Sequence, residues 1–373
     1  MKEGWKKVKL MDNCSVTTGK NDANHAVDNG RYRFYTCASE YLYCNTYKYD
    51  GACIILPGNG ANVGDVYFYE GKFDAYQRTY VIDNISPKVL PFYLYYQLQY
   101  GWKTYGVAKQ YGSATNYIKI GNFKDYEFLC PDIDTQKEIV EYLDSSFAKI
   151  DKLKENAAKN LEEAKALFQS ALKDALEPKE GWEENKLQEV ALDFSRGKSK
   201  HRPRNDKRLF GGQYPFIQTG EIRNANVYVT SHSSTYNEMG LSQSKLWPED
   251  TVCITIAANI AEVAILKYPC CFPDSVIGFV ADRNKVDKKF VYFSLLNYQQ
   301  ELKKQGKGSA QDNINLGTFE KNTFPFPPLS EQQSIVSFLD SLNEKVNTLQ
   351  QNYSRICDEC DALKQAILRQ VFE

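Results

Sequence analysis

Residues 133–178 and 329–373 are copies of one another at a fixed offset of 196, and any fold for this chain has to respect that. Gln136, Ile139, Val140, Leu143, Asp144 and Ser145 fall on Gln332, Ile335, Val336, Leu339, Asp340 and Ser341. The same offset carries Ala166-Leu167, Gln169 and Leu172 onto Ala362-Leu363, Gln365 and Leu368. Upstream, Gly112-Ser113-Ala114, Ile118, Gly121, Phe123, Phe128 and Pro131 match Gly308-Ser309-Ala310, Ile314, Gly317, Phe319, Phe324 and Pro327. Each half also opens alike, Gly4-Trp5 and Leu10 being answered by Gly181-Trp182 and Leu187. Between these matches the halves diverge, so the chain reads variable, constant, variable, constant. A repeat of this length implies two like structural units.

The constant blocks have the periodicity of helices. Ser330 suits an N-cap, Gln333 completes a capping box, and Pro327 and Pro328 block extension upstream. In the first copy Asp134 takes the cap position, where Lys137 cannot close the box, and Pro178 follows the helix end. Leu339, Leu342, Val346, Leu349, Tyr353, Ile356, Cys360, Leu363 and Ile367 step alternately by three and four, the spacing of a heptad seam. The matching seam in the first copy, Leu143, Ser146, Ile150, Leu153, Ala157, Asn160, Ala164, Leu167 and Ala171, is smaller and partly polar. Bulky residues facing small ones would let two such helices approach closely, each about 65 Å long at 1.5 Å per residue. The plainer alternative is two amphipathic helices, each packed on its own domain.

The variable blocks, 1–132 and 179–328, read as α+β. Cys53–Leu56 and Val66–Tyr69 flank the Gly- and Asn-rich stretch PGNGANVGD, and Val252–Ile256 and Val263–Leu266 flank AANIAE; both pairs predict hairpins. PFYLYYQLQ and KKFVYFSLLNYQQELKK predict helices. Asn62 and Val66 align with Asn259 and Val263 at an offset of 197, so the two blocks are expected to share one fold with different surfaces.

Charge follows the same layout. Lys plus Arg against Asp plus Glu run 15 to 12 in residues 1–130 and 20 to 17 in 179–328, but 7 to 11 and 4 to 7 in 131–178 and 329–373. The net charge of −1 therefore conceals two mildly basic blocks between acidic ones. No apolar run is long enough to cross a bilayer, and MKEGWKKVKL is not a signal peptide, which predicts a cytoplasmic protein that does not enter membranes. Ten cysteines without a secretory signal read as reduced thiols, and Cys357 and Cys360 fall in a helical pattern without a second pair at zinc spacing.

Enzymatic motifs are absent: no amino-methyltransferase Asn/Asp-Pro-Pro-Tyr/Phe, no phosphate loop, no HExxH. Gly58, Gly60 and Gly64 precede an alternating strand pattern and read as a hairpin turn. Asp274 followed by Asp287-Lys288-Lys289 resembles the carboxylate–carboxylate–lysine set of metal-dependent nucleases, a short pattern whose first-half equivalent is Ala75. Nucleic-acid features are stronger. RGKSKHRPRNDKR, residues 196–208, holds seven Lys and Arg with Asp206 as its one acid. Arg196, Lys198, Lys200, Arg202 and Arg204 are candidates for phosphate contact, against the plainer reading of a solvated loop. A weaker counterpart holds Lys20, Asn21 and Arg31. Bidentate groups suited to base edges lie on predicted loops at Gln77, Arg78, Thr115, Asn116, Gln218, Arg223, Asn224, Gln311 and Asn313. Tyrosine is dense in residues 1–130, which hold 18 of the 26, mostly as expected strand and core positions.

PPLSEQQSIVSFLD, its degenerate copy PDIDTQKEIVEYLD, the endings LFQSALKDALE and LKQAILRQVFE, and the openings GWKKVKL and GWEENKL together resemble the DNA-specificity subunits of Type I restriction-modification systems. GQYPFIQTGEI and GKFDAYQRTYVI are similar to segments of that family's recognition domains. The first copy departs from the pattern in lacking Leu-Ser-Glu, having Ile133-Asp134-Thr135 instead. The resemblance implies two target-recognition domains, each on one half of an asymmetric split site in double-stranded DNA, held apart by the antiparallel arms. Half-sites about 34 Å apart would suit two modules on one face of the duplex. It also implies two methyltransferase subunits that use S-adenosylmethionine and flip the target adenine, and ATP- and magnesium-dependent restriction and translocase subunits. The chain itself would bind no cofactor or metal and catalyse nothing. A free-standing metal-dependent nuclease and a coiled-coil adaptor that reads no DNA are the alternatives.

Overall fold

The computed structural model describes residues 4–108, 111, 116–257, 259–306, 314 and 316–373. Two helices dominate it, Ile133–Ala175 and Leu329–Phe372, here the first and second arms. The chain divides into two compact units, Met1–Ala158 with Asn352–Glu373, and Lys159–Gln351. Each unit therefore takes the start of one arm and the end of the other.

In the first unit, strand Ala52–Pro57 lies between Tyr67–Glu70 and Thr79–Asp83, and Ser15–Thr18 completes an antiparallel sheet. The predicted hairpin is present. Side chains alternate across this sheet, as the twofold repeat of a strand requires. Ile54, Leu56 and Ile82 face a core shared with helix Pro91–Ala108 and with Leu143, Phe147, Ile150, Leu368 and Phe372 of the arms. Cys53, Ile55 and Val81 face the other way, against Tyr35, Tyr49 and Phe73 around a three-stranded sheet. Burial on both faces explains why CIIL is a continuous apolar run.

The second unit repeats the plan. Val252–Thr255 pairs with Val263–Leu266 and with Val276–Ala281 in a five-stranded sheet. Val252, Ile254, Ile265 and Phe279 pack on helix Lys288–Gly306 and on Phe168, Leu172, Leu339, Leu342 and Val346 of the arms. Cys253, Ala264 and Leu266 pack beneath Trp247 and Phe272 on the opposite face.

The antiparallel course of the arms is explicit in the first unit, where Lys154 pairs with Asp361 at 2.9 Å and Lys364 with Asp151 at 2.6 Å. The predicted seam is only half correct. Leu143, Ile150 and Leu339 are buried, and Leu342, Val346, Ile356 and Ile367 are packed against the cores. Leu153, Leu167, Leu349 and Leu363 are 58, 66, 40 and 48% exposed. A 3.5-residue repeat holds one face only if the helices supercoil. At 3.6 residues per turn, Leu153 and Leu349 lie about 80° from Leu143 and Leu339, and Leu167 and Leu363 about 120° away. Phe168, Leu172 and Leu368, each within about 20° of the starting leucine, take the buried places.

The helix starts differ as well. Asp132, not Asp134, caps the first arm: its carboxylate accepts from the N–H groups of Asp134 and Thr135 at 3.1 and 3.0 Å and from the Thr135 hydroxyl at 2.9 Å. Asp134 stands inside the first turn, paired with Lys137. In the second arm the N–H groups of Glu331 and Gln332 donate to the Pro328 carbonyl, so Ser330 lies in the first turn rather than at the cap.

Candidate nucleic-acid interface

In the first unit the predicted residues gather at one end of the four-stranded sheet. Strand Ala52–Pro57 runs out into the glycine loop, where the Gly58 N–H donates to the Arg78 carbonyl at 2.9 Å and Gly60 N–H to that of Asn116 at 2.8 Å. Gln77 N–H donates to the Asn21 carbonyl at 2.9 Å. A Cβ on Gly58 would stand 2.2 Å from the Arg78 carbonyl oxygen, so this close approach requires glycine. Lys20, Gln77, Arg78 and Asn116 thus crown one sheet end and are all exposed. Asn21 is different, since its amide donates to buried Asp74 at 3.0 Å and holds the loop instead of facing solvent. Arg31 lies elsewhere, over the Tyr32 ring at the far end of strand Tyr32–Tyr35. Thr115, Gln311 and Asn313 lie outside the described residues.

Beside the glycine loop are groups that sequence reasoning missed. Tyr111 and Tyr117 exchange backbone hydrogen bonds, stack with centroids 5.6 Å apart and are both exposed, and the Lys119 ammonium lies 4.6 Å from the Tyr111 centroid. A second cation–π cluster holds the Arg33 guanidinium 4.3 and 4.4 Å from the Tyr41 and Tyr69 centroids. The second joins Arg33 to Tyr69, far along the chain, and a dense tyrosine count alone does not identify which rings reach the surface.

The second unit places its candidates at the matching sheet end, beyond Thr255 and before Val276. Ile222 is buried on the sheet and anchors the short helix Thr219–Asn224, which leaves Gln218, Arg223 and Asn224 exposed. Arg223 reaches the Asn259 side chain at 3.4 Å, in the turn equivalent to the glycine loop. The basic loop 196–208 is folded, not loosely solvated. Arg196 donates to the Asp274 carbonyl through Nε and an Nη, at 2.8 and 2.5 Å. An Nη of Arg204 reaches both Asp274 carboxylate oxygens, at 2.7 and 2.8 Å, and Arg202 stands 3.8 Å away. Arg208 and His201 close on Asp206, and together they hold its carboxyl far below the usual carboxylate range, Arg208 being the larger cause. Among the described residues, the ammonium groups of Lys198, Lys200 and Lys207 have no such partner. These lysines are loop cations that no acid neutralises.

The nuclease-like set does not come together. Asp274 serves the arginines, while Asp287 caps helix Lys288–Gly306 through the N–H groups of Lys289 and Phe290 at 2.7 and 3.3 Å. Lys288 pairs with Asp250 and Lys289 with Asp340. Each group has a structural partner of its own, and no group of His, Cys, Asp and Glu among the described residues has a metal-ligand arrangement. No helix of the described residues is long and apolar enough to cross a membrane.

Solved structures and curated relatives are similar to this chain. A structure described as the basis of complex assembly and conformational transition of the type I R-M system superposes with a TM-score of 0.78 at 17% identity, covering 100% of this chain and 98% of that one. The HsdS subunit of Thermoanaerobacter tengcongensis superposes at 0.55, with 17% identity over 99% of this chain and 97% of that one. At that identity the likeness is one of fold. The EcoDI specificity subunit of Escherichia coli is 37% identical over 150 residues, 40% of this chain and 33% of that protein. The putative MjaX specificity subunit of Methanocaldococcus jannaschii is 24% identical over 307 residues, 76% of this chain and 69% of that protein. The family described as the Type I restriction modification DNA specificity domain matches residues 2–163 and again 179–356, nearly all of both halves, and the chain belongs to that family.

Proposed function

We propose that this chain is the DNA-reading specificity subunit of a Type I restriction-modification complex, with each unit contacting one half of an asymmetric bipartite site. The observation that carries this is the pairing of like frameworks with unlike tips. The sheet cores of the two units correspond, yet at the same sheet end one unit presents Lys20, Gln77, Arg78 and Asn116 and the other Gln218, Arg223, Asn224 and the basic loop. Amide and guanidinium groups are the side chains that discriminate base edges, and unlike sets read unlike half-sites.

The chain is the non-catalytic member of such a complex. Methylation would come from methyltransferase subunits that hold S-adenosylmethionine, and translocation and cleavage from ATP- and magnesium-dependent restriction subunits, all in the cytoplasm. Two methyltransferase copies are favoured by a duplicated set of exposed apolar residues on the arms. The first unit exposes Tyr142, Leu153 and Leu363, and the second exposes the repeat-equivalent Phe338, Leu349 and Leu167. Apolar side chains held out of the core at matched positions suit two copies of one partner.

Mapping methylated adenines in a host that carries this chain and its methyltransferase tests the reading. Replacing residues 1–132 with a different recognition domain should change one half of the methylated site and leave the other. An unchanged site would refute it.

A further inference from the structure

Asp274 is the acid that the sequence offered as a metal ligand and that the structure gives to three arginines. The loop around it is pinned along its length. Gly197 N–H donates to the Val276 carbonyl at 2.8 Å, and a Cβ there would stand 2.4 Å from the Pro273 carbonyl oxygen. His201 N–H donates to the Gln243 side chain at 3.1 Å, and the Ser244 hydroxyl to the Lys198 carbonyl at 3.0 Å. Asp274 supplies a further fixed point, its carbonyl holding Arg196 and its carboxylate Arg204, with Arg202 close by. Arg204 spends one Nη on that carboxylate, so the guanidinium keeps donors for another acceptor while its side chain is half exposed.

We propose that Asp274 is a specificity-determining positioning residue, which fixes the arginines of the basic loop for phosphates of the cognate duplex and offsets their attraction for any other. This rests on the DNA-reading function above. Two physical effects act together. Guanidinium groups held in place lose little side-chain entropy when a correctly placed phosphate arrives. The carboxylate's negative charge also lowers the sequence-independent attraction that every phosphate exerts on the loop. Cognate DNA, which places its phosphates where the arginines are fixed, benefits from the first effect. Unrelated DNA benefits less and meets the second in full.

The test compares the full chain, in complex with its methyltransferase, as wild type and Asp274→Asn, on duplexes carrying the mapped site and a scrambled site over a range of salt. Asparagine preserves shape and removes charge, and thermal melting checks that the fold survives. The expected result is about tenfold weaker binding to the site, equal or tighter binding to the scrambled duplex, and a scrambled-duplex salt slope steeper by about 0.9, the increment for one added cation. Asp274→Glu, which restores the charge, should recover part of the discrimination. If both duplexes bind more tightly by the same factor, Asp274 only competes with phosphate and the proposal fails. If neither affinity changes, it fails too. Wild-type complex that binds both duplexes equally would instead overturn the specificity reading itself.

Discussion

Gln136 and Gln332 make the same three hydrogen bonds in the two units. Gln136 Oε1 accepts from the Leu90 N–H at 2.8 Å, and its Nε2 donates to the carbonyls of Lys88 and Pro131, both at 2.9 Å. Gln332 accepts from the Asp287 N–H at 2.8 Å and donates to the carbonyls of Lys285 and Pro327 at 3.2 and 2.8 Å. Both side chains are fully buried and tie the start of an arm to the loop that enters the unit's long helix. Glutamine suits the post because one amide both donates and accepts. Replacing either by alanine strands one backbone N–H and two carbonyls, which costs about 3 kcal/mol. Urea unfolding should show Gln136→Ala weakening the first unit and Gln332→Ala the second; a change under about 0.5 kcal/mol would contradict this role.

The first arm's cap gives a pH signature. Hydrogen bonds from the Thr135 and Asp134 backbone and the Thr135 hydroxyl lower the Asp132 pKa from 3.8, the Thr135 backbone contact being the largest cause. A carboxyl lowered on folding stabilises above its unfolded pKa, and that contribution disappears as the pH falls through the folded value. Asp132→Ala should therefore melt below wild type at neutral pH, with the gap closing as the pH drops below 3.8. A gap that is constant with pH would place the effect outside the carboxylate.

Lys198 and Lys200 are two of the three loop lysines that no acid claims among the described residues. Changing both to alanine should weaken DNA binding to the same extent on all sequences and flatten the salt slope by about 1.8. Methylation mapping should return the same recognised bases. A changed base at one position would mean that a lysine reads sequence.

Leu153 and Leu363 of the first unit are exposed at 58 and 48%, so changing both to serine should leave the melting temperature nearly as it is. If they anchor a methyltransferase subunit, the same change weakens that assembly by more than about tenfold, as the loss of interface anchors does. Analytical ultracentrifugation of the mixture reads both species. Retained affinity would remove these leucines from the interface.

Periodic and continuous features were legible from sequence. CIIL and VCIT announced the central strands because both faces of those strands are covered, and the arms announced themselves because a repeat of such length leaves few alternatives. What escaped was anything set by angle or by distant partners. A heptad count carried Leu167 onto the seam, whereas an uncoiled helix buries Phe168 beside it. The cap moved from Asp134 to Asp132 because nothing local decides which of two nearby carboxylates turns inward. Asn21 belongs by sequence to a DNA-facing loop, but buried Asp74, 53 residues away, claims its amide. Asp274 looked like a metal ligand because a linear pattern does not show arginines folding back onto it.

The division of the arms between units also orders the birth of the molecule. The second unit, Lys159–Gln351, is contiguous, so every strand and helix of its core has been translated before Asn352–Glu373 is added. The first unit is translated earlier but waits for Asn352–Glu373, because Leu368 and Phe372 complete the core beneath Tyr93 and Leu143. The part made first finishes last, and a nascent chain cut short by 20 residues would release one finished unit and one with its apolar underside open to water.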